Sequence, residues 1–103
     1  MENNRALSML GIAKKASKIA VGYDPVIEAI MKGNVVLVLF SSDISPKSAK
    51  GITLAAEYDG IPVVTTQFTM EEIGFAIGKR SGILGLTDLG IANKLEKLLS
   101  EQK

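Results

Sequence analysis

The chain has 103 residues, 47% of them hydrophobic and 22% charged, which fits one globular domain of ordinary composition, spanning residues 1–103. It holds no cysteine and no histidine, which excludes disulfides, thiolate nucleophiles, imidazole bases and the usual zinc ligands together. A net charge of +1 excludes a blanket polycation, so any anionic partner must be met by a local surface.

The opening Met1-Glu2-Asn3-Asn4-Arg5 lacks the pattern of a secretory signal, and with no cysteine to oxidise a cytoplasmic protein is expected. Leu7, Leu10, Ala13 and Ala16 or Ser17 recur at helical spacing, predicting a helix over about residues 4–17. Lys14, Lys15 and Lys18 crowd its last turn, where cations suit the helix dipole. Ile19-Ala20-Val21 reads as a very short strand stopped by Gly22. Asp24-Pro25 then reads as N-cap and first helical residue of a second helix, which buries Val26, Ile27 and Ile30 and stops at Gly33.

The apolar run from Val35 to Phe40 is too short to span a bilayer, and no membrane association is expected. It marks a central strand covered on both faces. Ser45-Pro46 opens a third helix to about Tyr58, with Ala49, Ile52 or Thr53, and Ala56 inward; Gly60 and Pro62 end it. Residues 61–65 form a third strand. Thr69-Met70-Glu71-Glu72 is a capping box, with Phe68 and Ile73 as its hydrophobic staple, and that helix ends by Gly78. Gly82 to Leu86 make a fourth strand, and Leu89 to Leu99 a last helix with Ala92, Leu95 and Leu99 inward. The order αβαβαβαβα predicts a three-layer α/β/α sandwich around a four-stranded mixed sheet in which parallel pairs dominate.

No catalytic or metal-binding constellation emerges, and no cofactor is expected. Glu71 and Glu72 are adjacent on a helix, so they diverge by about 100° and serve its N-terminal dipole better than acid–base chemistry. The serines have no histidine to activate them, and no phosphate-binding glycine motif is complete. Two basic clusters remain, Lys14-Lys15 with Lys18, and Lys79-Arg80. Solvated surface charge explains them as readily as a binding face. Gly74, inside a helix, costs about 1 kcal/mol relative to alanine, so either packing or the close approach of a helix or of a ligand's backbone must require it.

Leu10-Gly-Ile-Ala-Lys-Lys-Ala-Ser-Lys18, Gly22, Ala29-Ile-Met-Lys-Gly33, Val35-Val-Leu-Val-Leu39, Gly60-Ile-Pro62, Glu72-Ile-Gly-Phe-Ala-Ile-Gly-Lys79 and Thr87-Asp88 are similar, in this order, to the kink-turn-binding ribosomal proteins. These are large-subunit proteins of the L-seven-Ae and L-thirty-e type, and the chain resembles their small bacterial relatives over nearly its whole length. The resemblance implies the same sandwich and non-catalytic binding of structured RNA, either kink-turn-like or ribosomal RNA. By position the family's RNA face maps onto Lys18, Gly22 to Glu28 (including Tyr23 and Asp24), Ile73, Gly74, and Lys79 to Ile83 (including Arg80). Lys14 and Lys15 join it as phosphate-holding cations.

The chain departs from the family in two stretches. The loop Lys79-Arg80-Ser81-Gly82 is short by family standards and lacks an apolar wedge before Ile83. Where kink-turn readers carry asparagine, glutamate and then lysine, the chain has Gly22-Tyr-Asp24-Pro25-Val-Ile-Glu28. Ionised carboxylates only accept hydrogen bonds, whereas the exposed guanine edge in a kink-turn also accepts. The resemblance therefore implies weak binding of a standard kink-turn. A protein–protein adaptor that has lost RNA recognition is the competing expectation, and a monomer is expected in either case.

Overall fold

The computed structural model describes residues 4–101, so Met1, Glu2 and Asn3 lie outside the described residues. Helices α1 (Arg5–Lys15), α2 (Tyr23–Met31), α3 (Pro46–Tyr58), α4 (Met70–Ile77) and α5 (Leu89–Ser100) alternate with strands β1 (Ile19–Val21), β2 (Leu37–Phe40), β3 (Val63–Thr65) and β4 (Ile83–Leu86). The sheet order is β1-β4-β2-β3.

Alternation along β2 divides the core. Leu37 and Leu39 face α1, α4 and α5, in a cluster with Leu10, Ile73, Ile77, Leu84, Leu86 and Leu95. Val38 and Phe40 face α2 and α3, packing with Val26, Ile30, Ile52 and Ala56. Every residue of β2 and of β4 is buried, as strands sandwiched between helical layers must be. Each large aliphatic side chain removed from water contributes roughly 1.5–3 kcal/mol, so the two clusters are the main source of stability.

Several helix starts follow their sequence signals. The Ser45 hydroxyl accepts from the Ser48 N–H, and Asp88 accepts from the Ile91 N–H. At α4 both arms of the capping box form: the Thr69 hydroxyl accepts from the Glu72 N–H at 3.1 Å, and Glu72 Oε1 accepts from the Thr69 N–H at 2.9 Å. Gly78 closes α4 in the left-handed conformation, with φ 80°.

The sheet is mixed, but parallel pairs do not dominate. Among the described residues only β2–β3 is parallel, whereas β4 runs antiparallel to both β1 and β2. The reason lies in the turn after α4. Residues 78–82 fold back along that helix, with the Arg80 backbone against Gly74 and Gly82 beside Met70. The chain thus returns to the sheet at the end where it left β3, and β4 enters running the opposite way.

Two smaller expectations also change. Asp24 is not the N-cap of α2; Gly22 is, with φ 104° and no side-chain cap, and Asp24 and Pro25 lie within the first turn. Pro25 is tolerated there because a first-turn N–H has no partner inside the helix. In α5 the third inward residue is Leu98, with Leu99 only half-buried.

Candidate nucleic-acid interface

The chain segments at the carboxyl ends of β1 and β2 are bound to the first residue of β4 and to the loop before it, and those after β2 and β3 are bound to each other. The Gly22 N–H donates to the Ile83 carbonyl at 3.0 Å, and the Ser41 N–H donates to the Gly82 carbonyl at 3.0 Å. The Ser42 N–H donates to the Phe68 carbonyl at 2.7 Å, and the Met70 N–H donates to Asp43 Oδ1 at 3.0 Å. The turns after β1, β2 and β3 and the α4–β4 loop therefore form one rigid end of the molecule.

Asp43 and Ser41 sit at the centre of this end. The Asp43 carboxyl is held below the ordinary aspartate range, first by the Ser41 hydroxyl, then by the Met70 N–H and its own backbone N–H, and lastly by the Arg80 charge; partial desolvation opposes them. Ser41 Oγ is fully buried and makes no well-formed hydrogen bond, so its effect on Asp43 is that of a nearby dipole. An ionised Asp43 accepts the Met70 N–H and so ties the turn after β2 to the first turn of α4, and the Arg80 charge favours the anion.

The residues singled out in the sequence fall into three groups. Gly22, Tyr23, Asp24, Lys79 and Arg80 lie at or beside the bound turns, and Lys79, Arg80, Tyr23 and Asp24 are exposed. Glu28 follows one turn along α2, where it pairs with Lys32 at 3.6 Å on a solvent-exposed stripe. Lys18 lies at the far end of β1: its carbonyl accepts from the Thr87 N–H, four residue steps, or about 13 Å, from Gly22. Lys14 and Lys15 line a groove between α1 and α4, with Ile12 and Phe75.

Ile73 is a correction. Its side chain is 0% exposed in the core beneath α4, so it offers nothing to a ligand. Gly74 is explained by packing, because a β-carbon there would stand 3.2 Å from the Arg80 Cα and 3.4 Å from its nitrogen. Of the two reasons the sequence left open for this glycine, packing against the loop is the one observed.

Asp43 and Phe75 were not singled out in the sequence. Asp43 belongs to the polar run Ser41-Ser42-Asp43 directly after a buried strand, a readable sign of a loop at the sheet end; its bond to Met70, 27 residues away, is not readable locally. Phe75 breaks the inward stripe of Ile73 and Ile77, so an aromatic on the outer face of α4 was legible.

A model of the ribosomal protein L7Ae/L30e/S12e/Gadd45 family matches residues 4–96. The chain belongs to this family. It is 36% identical over 92 residues to the RNA-binding protein YlxQ of Bacillus subtilis (strain 168), covering 88% of this chain and 91% of that protein. It is 29% identical over 100 residues to the RNA-binding protein YlxQ of Enterococcus faecium, covering 95% of this chain and 96% of that protein. Among solved structures, a protein of unknown function from Bacillus halodurans C superposes with TM-score 0.88 at 31% identity, covering 95% of this chain and 99% of the other. The Giardia lamblia 15.5kD RNA binding protein superposes with TM-score 0.75 at 16% identity, covering 98% and 90%, a likeness of fold alone.

Proposed function

We propose that this protein binds structured RNA without catalysis, acting as a cytoplasmic monomer, and that the bound turns at the carboxyl end of the sheet are its contact face. The observation that carries the reading is the Gly22–Ile83 hydrogen bond, which sets the turn before α2 beside the loop bearing Lys79 and Arg80. Cations on a rigid loop hold phosphates in register, and a side-chain-free turn lets a backbone come close. The YlxQ relatives, named as RNA-binding proteins, support the same reading. Ribosomal RNA, or an RNA with a kink-turn-like bend, is the substrate class that family membership favours. Asp24 and Glu28 make a standard kink-turn a weak ligand, because neither can donate to a guanine edge when ionised.

The test is to crosslink the protein to RNA in cells and sequence what is recovered. The reading expects a small set of structured RNAs enriched well above an untagged control. Recovery equal to the control would overturn it and favour an adaptor that works through protein contacts.

A further inference from the structure

Phe75 is 84% exposed on the outer face of α4, and Ile12 of α1 beside it is 54% exposed. Both line the α1–α4 groove together with Lys14 and Lys15. An isolated exposed apolar residue is ordinary, but an outward aromatic ring with two lysines lining the same groove is a chemical combination. Among the described residues neither lysine makes an ion pair. The groove's one acid, Glu72, is committed to capping α4 through the Thr69 N–H.

The shape of the groove narrows what can fill it. A β-carbon on Gly11 would stand 3.0 Å from the Ala76 carbonyl oxygen, so the two helices meet nearly backbone to backbone. Small residues, Ser8, Gly11 and Ala76, therefore line the groove where the helices meet, and Phe75 and the two lysines stand at its sides. A flat base needs a face to lie on and a cation near its phosphate.

We propose that the α1–α4 groove is a second RNA subsite, taking an unpaired nucleotide whose base stacks on Phe75 while Lys14 and Lys15 hold neighbouring phosphates. This rests on the reading of the protein as an RNA binder, and adds to it a single-stranded segment beside the structured one. Stacking tolerates any base, so this subsite contributes affinity and reach with little sequence preference.

The chain has no tryptophan, so Phe75→Trp places a single tryptophan on the groove, excitable apart from Tyr23 and Tyr58. Its emission should be quenched by a short oligouridylate, and the quenching should disappear when Lys14→Gln and Lys15→Gln are added. Phe75→Ala should weaken oligouridylate binding roughly tenfold, with the folded RNA recovered by crosslinking still bound through Lys79 and Arg80. Unquenched emission together with unchanged oligouridylate affinity in Phe75→Ala overturns the subsite. If the recovered RNA still binds, only the subsite falls; if neither RNA binds, the RNA-binding reading falls and takes the subsite with it. A fall in sedimentation mass on Phe75→Ala without any change in oligouridylate affinity would also overturn it, assigning the ring to a second copy of the chain.

Discussion

The Tyr23 ring lies against Gly51 of α3, its hydroxyl occupying the space that a β-carbon at Gly51 would need. A mid-helix glycine is thereby explained by the first residue of α2, and the orientation of that ring at the proposed face depends on a residue 28 positions away in sequence.

This packing predicts a separation of stability from binding. Gly51→Ala should preserve or raise stability by up to about 1 kcal/mol, because alanine is the better helix former and only the far end of a mobile side chain must move. RNA affinity should fall as Tyr23 is displaced. Thermal unfolding and RNA titration of the one variant check both halves, and a loss of stability with unchanged affinity would contradict them.

Asp43 gives a prediction in acid. Its folded pKa is depressed, so its stabilising contribution is present above the unfolded aspartate value and is lost as pH falls through the folded one. Asp43→Asn should lower stability near neutral pH, and the difference from the native chain should shrink as pH drops below about 4. A difference that stayed constant down to the lowest pH at which the protein is folded would show that the charge is not what matters. Denaturant titrations over that range decide it.

The carboxylates of α2 can be tested by restoring donors. Asp24→Asn with Glu28→Lys would add an amide and an ammonium on one stripe of the helix. Asp24 is a first-turn residue and not the cap, so its replacement costs only a few tenths of a kcal/mol of dipole interaction. Losing the exposed Glu28–Lys32 pair and placing like charges one turn apart costs a similar amount. Each donor that reaches a guanine edge should contribute about 1–3 kcal/mol. Affinity for a kink-turn should rise, while affinity for the same RNA with its guanine·adenine pairs disrupted should rise much less. Equal increases on both would mean that only charge had improved.

Much of the fold was legible because it rests on local signals. The caps Ser45 and Thr69, the stop at Gly78 and the buried run of β2 are each set by neighbours in sequence. The direction of β4 was not legible, because it depends on residues 78–82 doubling back over Gly74, a tertiary contact that leaves no periodic trace. The cap of α2 was misplaced for a related reason: Gly22 can adopt φ 104°, and its N–H is used by Ile83, so the helix starts at Tyr23, ahead of Pro25, without any side-chain cap. The site divides in the same way. Lysines close in sequence, Lys14, Lys15 and Lys18, part company in space from the turn before α2, because α1 ends at one end of β1 and Gly22 begins at the other.

The central claim is tested most directly by the affinity of the crosslinked RNA for the native chain, for Lys79→Glu with Arg80→Glu, and for Lys18→Glu, each measured across a range of salt. For about 3–5 phosphates neutralised, log affinity should fall with log salt at a slope of roughly −2 to −4. The double variant should lose binding while remaining folded, and Lys18→Glu, about 13 Å from Gly22 along β1, should lose much less. Unchanged affinity in a folded Lys79→Glu, Arg80→Glu protein would contradict the claim that this end of the sheet holds RNA.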